Sequence, residues 1–200
     1  MLCCKDKKKL QKCLNDLYCD KCDIGVCGCC KDVATNVCDC CVDPMENLIK
    51  QLQNILPQQA TILITFTNGS QDSFMVQDIV SIKDSIINLL NIQFISICDI
   101  SRVRWRNTST IDQIELLPPV CTCGECDCCE RPLREQLSKQ IGNNIALEFL
   151  GEKDPESSAS GEEITLRKVG LGIIVGENLN DGAPDAYSIC KMLRIGTLLR

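Results

Sequence analysis

The segment CDCCVDPMENLI at 38–49 returns as CDCCERPLREQL at 126–137, an offset of 88 residues. SICDISRV at 96–103 returns as SICKMLRI at 188–195, an offset of 92. Two motifs in the same order at nearly the same separation mark a tandem duplication. That constrains the fold strongly, because the chain must then be read as two copies of one small unit. The repeats span 38–106 and 126–200; an N-terminal arm, 1–37, precedes them and a linker, 107–125, joins them.

Within each repeat the hydrophobic period changes once. Asp43 suits an N-cap, Pro44 the first helical position and Glu46 the far side of a capping box. Met45, Leu48, Ile49, Leu52, Ile55 and Leu56 then run along one helical face until Pro57 stops it. The second helix has Pro132, then Leu133, Leu137 and Ile141 at four-residue steps, with Gly142 as its stop.

After each helix the pattern is that of strands. Ile62, Ile64 and Phe66 alternate toward a core, and Asn68-Gly69 is a hairpin signal. Further apolar runs occupy 74–82, 86–90 and 92–97, leading into Ile100, Val103 and Trp105. The second repeat offers Ile145, Leu147 and Phe149, then Ile164 and Leu166, then 171–175, then Tyr187 to Ile195. Its extra length has loop composition, at 152–163 and 178–185. The expected class is mainly β with short helices (α+β). Two tandem, small barrel-like units of the Sm-like or SH3-like kind, each with an N-terminal helix, suit this order.

Composition narrows the function. The 200 residues hold 18 cysteines and no histidine, which removes the commonest general base, the Cys–His nucleophile pair and mixed Cys/His zinc sites. A net charge of −6 disfavours a nucleic-acid partner, whose phosphates call for Lys and Arg. No apolar run approaches the roughly 18 residues of a membrane span. No phosphate loop, nucleophile motif or catalytic carboxylate pair supports an enzyme, and no cofactor is called for.

The cysteines are grouped. Cys3, Cys4, Cys13, Cys19, Cys22, Cys27, Cys29 and Cys30 lie in the arm. Cys38, Cys40 and Cys41 open the first repeat, while Cys121, Cys123, Cys126, Cys128 and Cys129 run from the linker into the second. Adjacent thiols such as Cys40-Cys41 sit on Cα atoms about 3.8 Å apart, below the usual disulfide range. In extended chain they point to opposite faces, which suits each to a different partner. These sixteen are therefore read as crosslinking cysteines. Cys98 and Cys190 stand alone among apolar residues and are expected as buried thiols.

Metal binding is the competing use of the thiols, and no specific metal ligand is assigned. Cys19-x-x-Cys22 and Cys27-x-x-Cys30 are separated by only four residues, too few for a zinc ribbon. Cys123-x-x-Cys126-x-x-Cys129 lacks the fourth cysteine and proline of a ferredoxin cluster motif. The N-terminus carries no apolar stretch of about 7–15 residues such as a signal peptide has. Synthesis in a cytoplasm is then expected, with the thiols either binding metal there or oxidising once the surrounding cell has lysed.

The repeated CDCC-x-x-P opening, the repeated SIC and the cysteine-dense arm resemble the cysteine-rich exosporium and spore-coat structural proteins of clostridia and related spore formers. The resemblance implies synthesis in the mother cell without a signal peptide, self-assembly into ordered sheets or rings, and later disulfide locking. The partner it implies is first the chain itself, and then other spore-surface proteins. The expected function is a structural protein forming a disulfide-crosslinked layer on the spore surface. The alternative is a cytoplasmic thiolate metal-binding or storage protein.

Overall fold

The computed structural model describes residues 39–118, 125–151 and 162–197. The arm with its eight cysteines, Cys38, Cys121, Cys123 and most of the expected 152–163 loop lie outside the described residues.

The first repeat runs α1 (Asp39–Ile55), β1 (Thr61–Phe66), β2 (Gln71–Met75), β3 (Ile79–Lys83), β4 (Ile86–Leu89), β5 (Phe94–Ser96) and β6 (Ile100–Trp105). Single 3₁₀ turns separate β2 from β3 and β5 from β6. The second runs α2 (Glu125–Ser138), β7 (Asn144–Phe149), β8 (Glu162–Gly170), β9 (Ile173–Asn178), β10 (Pro184–Ser188) and β11 (Met192–Thr197). Again a 3₁₀ turn, Ile189–Lys191, sits before the last strand. The chain is thus mainly β with few helices.

Register shows how closely the repeats correspond. Val103 pairs with Ile64 in the first repeat as Ile195 pairs with Leu147 in the second. Both ladders slip at the same place, bringing Ile100 opposite Phe66 and Met192 opposite Phe149. Ile87 faces Ile95 as Ile174 faces Tyr187. The repeats differ in the strand that follows the first hairpin. β8 is continuous over nine residues, whereas a turn at Val76–Asp78 breaks its counterpart into β2 and β3.

Two separate units were expected, but the sheets run otherwise. One eight-stranded sheet, ordered β11-β7-β8-β9-β10-β6-β1-β2, passes through both repeats. The strands β3-β4-β5 form a second, three-stranded sheet. Neither closes on itself among the described residues. The reason is physical: β6 finds its second partner across the repeat boundary, in β10.

The helices depart from their expected starts. Both begin before the proline, so that Pro44 and Pro132 lie inside them and Asp43 does not cap α1. A proline this far in removes a backbone hydrogen bond. Burial offsets it, since Cys41 and Val42 are enclosed one turn before the expected start. Glu46, freed from a capping box, instead accepts the Ser85 N–H at 3.2 Å and pairs with Lys50. The two CxCC segments are therefore helical over their described part, not extended. At its far end α1 stops before Pro57, as expected. Gly142 has φ +86° four residues beyond α2, and Ile141, expected on the helix face, is exposed.

The described residues form two cores. The first packs Met45, Leu48, Ile49 and Leu52 of α1 over Ile62, Ile64, Val103 and Trp105, and takes in Ile173, Val175 and Ala186 from the second repeat. The second gathers Leu137, Leu147, Phe149, Ile164 and Tyr187. Residues 108–118 of the linker are docked: Ile111 and Ile114 are buried in the first core. Lys168 donates to the Asp112 and Ile114 carbonyls, and Leu171 N–H to Leu117.

Candidate functional site

The join between the repeats is where the structure concentrates its charge. β6 and β10 pair antiparallel, with Asp185 opposite Arg104, Ala186 opposite Val103 and Tyr187 opposite Arg102. On the face opposite the first core, Arg104 grips the fully buried Asp185 with two hydrogen bonds, Nε to Oδ1 at 2.8 Å and Nη2 to Oδ2 at 2.6 Å. It also reaches Asp181 at 3.3 Å and Glu162 at 3.6 Å. Arg102 bonds Glu162 and lies 5.6 Å over the Phe149 ring. Phe149 meets Tyr187 edge to face at 5.2 Å, and the Tyr187 hydroxyl donates to Asp185 at 3.2 Å.

The network holds charge in a place that resists it. Asp185 bonding holds the Arg104 guanidinium protonated, raising it further above its already high range. Burial pushes the Asp185 carboxyl up, and the bonds from Arg104 oppose that push. Burial is the larger of the two effects, and the two-pronged contact of Arg104 is what the enclosed carboxyl receives in place of water. Burial also pushes the Tyr187 phenol well above its ordinary value. Arg102 Nε is buried with no hydrogen bond among the described residues, and the Phe149 ring compensates from above. Such a seam is costly to desolvate and costly to break, which favours one register over its neighbours.

A disulfide crosses the same boundary. Cys41 of α1 and Cys190, in the turn before β11, are bonded with Cα atoms 6.2 Å apart. The expectation for Cys190 is corrected: it is exposed and oxidised, not a buried thiol. Cys41, expected as a crosslinking residue, is buried and bonds within the chain. Cys98 is half-buried against the first core, in the equivalent turn before β6. Cys40 lies in α1, and Cys126, Cys128 and Cys129 lie in α2.

None of Arg102, Arg104, Glu162 and Asp185 stands out in the sequence as a site. A signal was present, however, since an arginine recurs at the same place in both SIC motifs, as Arg102 and Arg194. Among the described residues no group of three or more His, Cys, Asp or Glu could hold a metal ion. No helix among them is long and apolar enough to cross a membrane. Searches of protein-family models, curated proteins and solved structures found no match to this chain.

Proposed function

We propose that this chain is a structural protein that self-assembles into a disulfide-crosslinked ordered layer, placed on the spore surface in the exosporium or coat. The observation that carries the reading is the join between its repeats: two related units share one sheet across β6 and β10, with a disulfide locking them. A layer needs that combination, strand pairing for order and covalent bonds for kinetic persistence. Each repeat is taken as a small barrel-like unit of the Sm or SH3 kind, opened where it joins its neighbour. The arm and the cysteines outside the described residues supply further crosslinks, and the chain acts without catalysis or cofactor.

The spore address draws its support from the sequence resemblance and from thiols that need a late oxidising step. Immunogold labelling of intact spores from the organism that encodes the chain tests it, with surface label expected and label confined to the mother-cell cytoplasm contradicting it. Metal analysis of protein purified without oxygen tests the alternative use of the thiols. Several equivalents of zinc or copper on a monomer would favour storage over structure.

A further inference from the structure

The two repeats are built alike but are not buried alike. β10 is buried along its whole length, whereas its counterpart β5 is exposed at Phe94 and Ser96. β6 is buried at every position but Arg104, whereas in its counterpart β11 Leu193 is 59% exposed and the Arg194 side chain 81%. The difference has one source. β6 and β10 cover each other, while the outer edges of β5 and β11 have no strand beside them among the described residues.

The open edges carry matching chemistry. In the seam Arg102 sits between the Phe149 ring and Glu162. Register gives the counterparts of those two groups in the first repeat. Ile100 faces Phe66 as Met192 faces Phe149, and Ile64 pairs with Asp72 as Leu147 pairs with Glu162. Phe66 and Asp72 both line an open cleft of about 650 Å³ beside β5. The counterpart of Arg102 is Arg194, exposed on β11 with a 3.4 Å approach to Glu148. One repeat thus presents the guanidinium, and the other presents the ring, the carboxylate and a strand edge with no partner among the described residues.

We propose that copies of this chain associate head to tail, with β11 of one copy pairing antiparallel to β5 of the next and Arg194 entering the cleft between Phe66 and Asp72. The inference rests on the assembling role proposed above and names its partner, a second copy. The seam register carries over to set Gln93, Phe94 and Ile95 opposite Gly196, Ile195 and Arg194 of the neighbour. The Arg104–Asp185 pair has no counterpart there, since Gly196 and Gln93 are both uncharged, so no buried charge is left alone. Such an interface is heterologous: it closes into a ring or runs on as a filament, according to the rotation between copies.

Sedimentation velocity of the full chain, kept reduced, tests the pairing with wild type, Arg194→Glu, Asp72→Arg and the double charge reversal. The wild type should form concentration-dependent oligomers, each single reversal should lose them, and the double should regain them. Circular dichroism checks that the variants fold. Arg194→Glu that assembles as the wild type does would overturn the head-to-tail edge while leaving the structural role standing. A wild type that stays monomeric, reduced or oxidised, would overturn both.

Discussion

Asp185 shows how much of the chain's order rests on single side chains. Its carboxylate is fully enclosed, and it receives Arg104, Tyr187 and Asn178 at once. Asp185→Ala leaves the Arg104 charge without its closest partner, and chemical denaturation should show a loss of about 3 kcal/mol or more. Tyr187 gives a pH signature. Burial raises its folded-state pKa above the unfolded value of about 10. The folded state then holds the proton that the unfolded state releases, so stability falls as pH rises past that value. Absorbance titration should show a phenolate component delayed until the protein unfolds, and Tyr187→Phe should remove it. These residues were the least legible in the sequence. NLNDGAPD at 178–185, which holds Asp181 and Asp185, reads as loop, and charged positions alternating along a strand read as a solvated face. Only a neighbour from the other repeat turns that face inward.

Elements were legible where local pattern and burial agree. The apolar faces of α1 and β1, the stop at Pro57 and the hairpin at Asn68-Gly69 all follow from periodicity and turn chemistry. The helix starts did not, because a capping pattern around Pro44 is a local signal and the burial of Cys41 and Val42 is not. The β3–β4 hairpin was missed for a related reason. Its loop is Asp84-Ser85, both at positive φ (53° and 62°), without the glycine that usually marks such a turn. Ser85→Gly should therefore stabilise the chain by about 0.5–1 kcal/mol, read as a raised melting temperature. The disulfide joins elements 149 residues apart, and chain-entropy arguments put such a bond at about 2–5 kcal/mol. Cys41→Ser should cost that much in equilibrium unfolding under non-reducing conditions, and a cost near zero would make the bond incidental to the fold.

At the scale of the molecule, the duplication was plain in the sequence but its consequence was not. Two repeats could have packed as separate barrels; instead they share a sheet, because hydrophobic alternation fixes which face of a strand is buried and leaves open which edge is paired. In the proposed assembly the same join is repeated outward through β5 and β11, and an internal contact becomes the template for one between copies. Cysteine count then matters less than cysteine position: the described bond locks a boundary that strand pairing has already ordered. The most direct measurement is electron microscopy of the full-length protein, first reduced and then oxidised. Ordered rings, filaments or sheets should form, and after oxidation should survive detergent until a reductant is added. Uniform monomers that carry metal on their thiols and form no array would contradict the account.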